Sequence, residues 1–238
     1  MLVPMVAPNS KLQSLSSNFI TRAYTRAIRW AFARFYREFA WTYDTVAALV
    51  SLGHWPEWGR AALPFLAGRT LELGCGTGNL QRALARRADA PWSLGLDASP
   101  QMLAISRRKL AREQLPARLV RGVAQALPFP NASFDTIVAT FPSEYILDPA
   151  SARELRRVLR PGGRAVVLLA AAFGSDGPYQ RALGWLYRLT LQRPPSRPAE
   201  HQPASLLARR LAEHGFAVDE RWQPAGGHAV HLLLAERV

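Results

Sequence analysis

The chain has 238 residues, 49% of them hydrophobic and 20% charged, and a net charge of +13. That length carries one α/β domain with a sizeable core plus extensions, and the apolar share excludes a disordered chain. A single cysteine, Cys75, excludes a disulfide framework and a cysteine-rich metal cluster, so no metal is expected.

The charge fits nucleic acid, an anionic membrane surface or a compositional bias. Only Lys11 and Lys109 are lysines and the other basic residues are arginines, a skew that weakens charge as a sign of a nucleic-acid partner. The N-terminus lacks the basic-then-apolar layout of a signal peptide. The longest apolar run, Ala165–Phe173, is shorter than the ~20 residues of a membrane span. A cytoplasmic location is expected.

Residues 1–15, with Pro4, Pro8, Asn9 and Ser10, read as a flexible terminus. Ser16–Phe39 places Ile20, Tyr24, Ala27, Ile28, Ala31, Phe35 and Phe39 at helical spacing, with Arg22, Arg26, Arg29 and Arg37 opposite. Such a basic amphipathic helix either packs on the core or lies on the inner membrane face as a peripheral contact. Thr45–Leu52 reads as a further short helix. His54–Trp58 is aromatic and irregular, and Glu57–Leu66 is helical until Gly68 stops it.

Thr70–Leu73 is short and mostly apolar, as a buried parallel strand would be. Gly74, Gly76 and Gly78 follow at alternate positions, where a missing Cβ lets the backbone turn and approach a ligand. Leu80–Arg87 then has helical spacing. Strand, glycine loop and helix together bind a nucleotide-like ligand at the carboxyl end of a parallel sheet. The spacing matches neither the triphosphate loop nor the dinucleotide fingerprint. Glu72 stands before the first glycine, and its carboxylate suits a cationic ligand better than a phosphate.

The segment Glu72-Leu-Gly-Cys-Gly-Thr-Gly78 resembles motif I of the class I S-adenosylmethionine-dependent methyltransferases. Tyr43-Asp44, ahead of it, resembles the small-molecule, ubiquinone/menaquinone-type branch. The resemblance implies S-adenosyl-L-methionine as cofactor. It implies an α/β fold, Rossmann-like, with a seven-stranded mostly parallel sheet and helices on both faces. It makes 16–66 an N-terminal helical lid and 67–238 the core. It implies that Tyr43 covers the cofactor and that Glu72, Gly74, Cys75, Gly76 and Gly78 cradle it, with the Cys75 side chain packing rather than reacting.

Trp92–Leu96 is the second strand, ending in Asp97, 25 residues beyond Glu72. An acid there accepts from ribose hydroxyls. Ser99 is the better helix cap, with Pro100 at the first helical position, which leaves Asp97 free for the ligand. Ala98 and Met102 are implied neighbours of the cofactor. Gln101–Gln114 is helical, and its Arg107, Arg108, Lys109 and Arg112 read as a solvated face. Ala117–Arg121 is the third strand. Gly122-Val-Ala-Gln-Ala-Leu-Pro-Phe129 resembles the family's adenine segment, with Val123 where an acid is usual. Ala124 and Gln125 are left to read the adenine.

Thr136–Thr140 is the fourth strand, placing Thr140 and the loop Phe141–Tyr145 beside the reacting group. Asp148 and Pro149 start a helix that Arg160–Gly163 ends, and Ala165–Leu169 is the fifth strand. A cap insertion at 174–203 carries Tyr179, Trp185 and Tyr187. Ala204–His214 is a helix capped by Gly215, and Phe216–Trp222 and Ala229–Glu236 read as an antiparallel hairpin.

The expected function is methyl transfer to a small, lipophilic acceptor, a quinol, phenol or lipid-like molecule. Two other readings stand beside it: an RNA methyltransferase, and a non-catalytic, membrane-associated S-adenosylmethionine-binding protein. A general base is needed only if the acceptor must lose a proton. His54, Glu144, His201 and His228 are candidates, and the sequence selects none, so the catalytic residues are unknown at this level.

Overall fold

The computed structural model describes residues 51, 53–87, 89, 92–172 and 205–238. The amphipathic stretch 16–39, Tyr43 and the cap at 174–203 lie outside the described residues, as does His201.

Seven strands form a single sheet: β1 (Thr70–Leu73), β2 (Ser93–Asp97), β3 (Leu119–Arg121), β4 (Phe134–Thr140), β5 (Leu159–Ala172), β6 (Phe216–Ala225) and β7 (His228–Arg237). Their order is β3-β2-β1-β4-β5-β7-β6. The first five are parallel, and β7 runs antiparallel between β5 and β6. The chain leaves β1 toward β2 and β3, then returns to the other side of β1 for β4. This reversal opens a crevice at the carboxyl ends of β1 and β4.

The helices are α1 (Trp55–Arg60), α2 (Asn79–Ala85), α3 (Pro100–Arg112), α4 (Pro149–Val158) and α5 (Leu206–Glu213). Alternation along the strands sends neighbours to opposite cores. Ile137 and Leu71 join Leu155, Leu207 and Leu211 on the face of α4 and α5. Val138, Val166 and Val230 join Leu80, Leu84 and Trp58 on the other face.

Three of the departures from the expected element boundaries have a plain physical cause. The helix read as Glu57–Leu66 is α1 followed by a separate 3-10 turn, Leu63–Phe65. Pro64 has no N–H for the Arg60 carbonyl, so one continuous helix cannot pass it. Helix α4 stops at Val158, and Arg160–Gly163 belongs to β5 instead of ending the helix. Gly162, at φ 72°, takes the left-handed conformation that this start of the strand requires. Strand β4 starts at Phe134, two residues before the expected Thr136, because Phe134 pairs with Leu159 and is 1% exposed in the core.

Candidate active site

The loop after β1 places Gly74, Gly76 and Gly78 at φ 67°, 51° and 81°, all in the left-handed region. The N–H groups of Gly74 and Cys75 both donate to the Leu96 carbonyl, at 2.8 and 3.0 Å, tying the loop to β2. A Cβ on Gly78 would stand 2.2 Å from Ser106 Oγ, so helix α3 backs directly onto the loop. A Cβ on Gly74 would stand 2.9 Å from the Tyr145 hydroxyl. Cys75 is buried against Gly95, and burial, then Glu72 and Asp97, push its thiol well above the ordinary value. It packs, as expected, and is no nucleophile.

Glu72 is 1% exposed beneath the loop and accepts from Gln81 Nε2 at 2.8 Å. Burial raises its carboxyl to about 8, against the Gln81 hydrogen bond and with help from the Asp97 charge. A cation placed beside this carboxyl would favour its ionised form.

Asp97 corrects an expectation. Ser99 does cap α3, its hydroxyl accepting from the Met102 N–H at 3.3 Å. Yet Asp97 is not left free, because its two oxygens accept from the N–H groups of Gly76 and Ser99, each at 2.8 Å. The acid joins the glycine loop to the end of β2 before any ligand arrives. Burial raises its pKa, and the two backbone hydrogen bonds oppose that.

Lys109 also departs from its expected role. It is no part of a solvated face, since its Nζ donates to Thr77 Oγ1 at 3.2 Å and to Asn79 Oδ1 at 2.8 Å. It clasps the loop from α3. The variant Lys109→Met is expected to weaken cofactor affinity about tenfold, roughly 1.4 kcal/mol. Calorimetry with S-adenosylmethionine reads this directly, and unchanged affinity would show that the clasp does not matter.

On the far side, Ala98 is exposed and Met102 is 5% exposed. Val123 is 46% exposed, while Ala124 beside it is buried and Gln125 half-buried. What holds this segment is invisible in its own sequence. Glu154 on α4 accepts from the Leu127 N–H at 2.6 Å, and Arg157 donates to the carbonyls of Leu127 and Phe129 at 2.9 and 2.7 Å while pairing with Glu154. The i, i+3 spacing of Glu154 and Arg157 was a readable ion pair, but its target was not.

Thr140 ends β4 half-buried. Phe141 follows at φ 51°, an unusual conformation for a bulky residue. Its N–H donates to the Leu168 carbonyl at 2.8 Å, and its ring meets Trp55 at 4.2 Å between centroids. Tyr145, to which sequence reading gave no role, donates its hydroxyl to the Leu73 carbonyl at 3.1 Å under the first glycine. Burial, with nearby Asp97 and Glu72, pushes that hydroxyl far above its ordinary pKa.

Trp55, Arg60, Asn79, Leu80, Thr140 and Phe141 line a small open cleft between α1, α2 and the end of β4. One residue before Trp55, His54 Nδ1 lies 3.1 Å from Glu57 Oε2, and the His228 ring packs edge-on to His54 at 4.2 Å. Glu144 is exposed on the turn after β4. Among the described residues no cluster could hold a metal ion, and no helix is long and apolar enough to cross a membrane.

Sheet order, glycine loop and two acids at the ends of β1 and β2 define a site of the S-adenosylmethionine type. The methyltransferase-domain family matches residues 70–163. The chain is 38% identical to a demethylmenaquinone methyltransferase of Thermus thermophilus over 163 residues, covering 66% of this chain and 72% of that one. It is 31% identical to a demethylmenaquinone methyltransferase of Roseiflexus castenholzii over 217 residues, 83% of this chain and 90% of the relative. A solved S-adenosylmethionine-dependent methyltransferase of Thermotoga maritima, described as a possible histamine N-methyltransferase, shares the fold at TM-score 0.56 and 17% identity, over 86% of this chain and 99% of that one. The chain belongs to the class I S-adenosylmethionine-dependent methyltransferases, within the quinone-methylating branch. It is an enzyme of methyl transfer, and its cofactor is S-adenosylmethionine.

Proposed function

We propose that the chain methylates a small, lipophilic quinol or phenol, a class to which the reduced form of demethylmenaquinone, the molecule its relatives are named for, belongs. The observation that carries this reading is the aromatic cleft. Half-buried Trp55, backed by the buried ring of Phe141, lines the cleft at the end of β4 next to the glycine loop, where a planar apolar acceptor would stack.

The residues present fit the cofactor. Gly74 and Gly78 let the loop close against Tyr145 and Ser106, a Cβ on Gly76 would meet nothing nearer than the Gly74 carbonyl at 4.0 Å, and buried Glu72 lacks a cationic partner among the described residues. Glu72 and the loop backbone, with Cys75 as filler, would hold the methionyl end. Asp97 and Ala98 would take the ribose. Met102, Ala124 and Gln125 would flank the adenine, and Thr140 would border the methyl group. Tyr43 would close over it from the lid at 16–66. When bound, S-adenosylmethionine supplies a methyl group made electrophilic by the sulfonium. The chain supplies orientation, close approach and exclusion of water. Lys109, Asp97 and Tyr145 fix the loop beforehand, so little ordering remains to be done on binding.

The test is labelled S-adenosylmethionine offered with four acceptors: a short-chain demethylmenaquinol, a simple phenol, phosphatidylethanolamine vesicles and bulk tRNA. Label is expected in the quinol. Preferential labelling of tRNA or of the phospholipid amine would replace this reading. The stretch 16–39 would bring the enzyme to a membrane surface where such acceptors dissolve, its four arginines contributing roughly 1 kcal/mol each beside anionic lipid. Co-sedimentation with anionic liposomes at low salt is expected, and protein remaining in the supernatant would refute the membrane contact.

A further inference from the structure

We propose that His54, oriented by Glu57 and His228, is the base that takes the acceptor's hydroxyl proton. The inference rests on the quinol or phenol reading of the cleft. Methylation at a ring carbon asks for such a base, because a neutral hydroxyarene is a weak carbon nucleophile and its anion a far better one.

Elimination narrows the choice among the described residues. Glu72 is buried against Gln81, and Asp97 holds the N–H groups of Gly76 and Ser99. The Cys75 thiol and the Tyr145 hydroxyl are both held protonated by burial, and Tyr145 already donates to Leu73. His214 lies on the opposite face of the fold's chemistry, its Nδ1 at 2.8 Å from the Arg210 carbonyl on α5. His231 pairs with Glu220 at 3.0 Å within the β6–β7 ladder and stacks on Trp222. Of the described histidines, His54 and His228 remain.

Their placement is specific. His54 precedes Trp55, whose ring lines the cleft against Phe141. His228 begins β7, and the next residue, Ala229, pairs with Ala172 at the carboxyl end of β5. The hairpin tip thus reaches the edge of the sheet that carries the glycine loop. Trp58 packs under both rings, 6.4 Å from His54 and 5.8 Å from His228, and 6.5 Å from Phe141. The turn Gly226–Gly227 closes over Glu57 so tightly that a Cβ on Gly226 would overlap its Oε1.

Three charged or titratable groups therefore meet: His54 and Glu57 from α1, and His228 from the hairpin. Glu57 accepts from Nδ1–H of His54, which leaves the Nε2 lone pair as the proton acceptor. Burial first and then His54 lower the pKa of His228, with Glu57 opposing.

The step balances. The acceptor's O–H bond breaks and its proton goes to His54 Nε2. The electron pair left on oxygen delocalises to the ring carbon, which forms the new C–C bond as the sulfur–methyl bond breaks and sulfur keeps that pair as a neutral thioether. The ring carbon then loses its own proton to solvent, and His54 returns its proton to the oxygen, restoring the aromatic hydroxyl and the free base.

The experiment uses 1-naphthol as a probe whose absorbance reports ionisation, bound to the full chain with S-adenosylhomocysteine present. Wild type is expected to bind it as the anion at a pH at least one unit below its ionisation in water. His54→Asn should bind it neutral, with cofactor affinity and melting temperature unchanged. Glu57→Gln and His228→Asn should each lie between, and His54→Asn should lower quinol kcat about 100-fold with loss of the acid limb of the pH profile. Ionisation unchanged in His54→Asn, or no ionisation by wild type, overturns the assignment. A wild type that ionises naphthol yet methylates no quinol upholds the base and removes only the quinol reading.

Discussion

Gly78→Val is expected to abolish measurable cofactor binding and to cost about 3 kcal/mol of stability. Two effects add. The position is at φ 81°, where a β-branched residue is strained, and its Cβ would stand 2.2 Å from Ser106 Oγ. Ser106 sits on α3 and is fully buried, so it cannot swing aside without moving the helix. For a domain of this size the loss corresponds to a fall of roughly 6–12 °C in Tm. Calorimetry and thermal melting together test it, and affinity within twofold of wild type would show that the loop does not cradle the cofactor.

Glu72→Gln should remove a pH dependence that the native enzyme has. The folded carboxyl lies at about 8 and the unfolded one at the ordinary 4.5. Between those values the folded state holds a proton that the unfolded state has released, so stability falls as pH rises from 4.5 to 8 and levels off beyond. Glutamine, neutral throughout, has no such component and should melt higher than wild type at pH 8.5. The opposite sign holds for ligand binding. A cationic cofactor needs the carboxylate, so wild-type affinity should drop about tenfold per pH unit below 8, with close to one proton released per ligand at pH 7. Calorimetry in buffers of different ionisation enthalpy counts that proton. An equal count in wild type and in Glu72→Gln would assign it to another group.

Much of this site could be read from one dimension because its parts are local. A strand, three alternating glycines and the acid before them lie within Thr70–Gly78, and backbone conformation alone demands those glycines. Ser99 and Asp148 were readable as helix caps, and both accept the expected N–H, from Met102 and Ala150. What escaped reading was every contact spanning a long loop. Lys109 looked like one more basic residue on a polar helix face, because nothing in its neighbourhood names Thr77 and Asn79, some thirty positions earlier. Asp97 looked free because its acceptance of the Gly76 N–H depends on how β1 and β2 lie side by side. Tyr145 and the Glu154–Arg157 pair were hidden in the same way, since their partners are carbonyls and N–H groups that carry no letter. Helix α1 was missed at its end for a different reason: apolar spacing continued through Leu66, and the proline that stops the helix was outweighed.

The insertion of β7 between β5 and β6 also governs how the sheet can assemble. Parallel strands β1 to β5 finish with an open edge along Arg164–Ala172, apolar for most of its length, until the hairpin arrives. That edge is a template for pairing with another molecule. Leu232, Leu233 and Ala235 of β7 are fully buried, so docking of the hairpin is a long-range event that both completes the core and hides the edge. Such contacts form late in folding. A chain ending before Phe216 should therefore reach inclusion bodies rather than a folded monomer, whatever the state of its glycine loop.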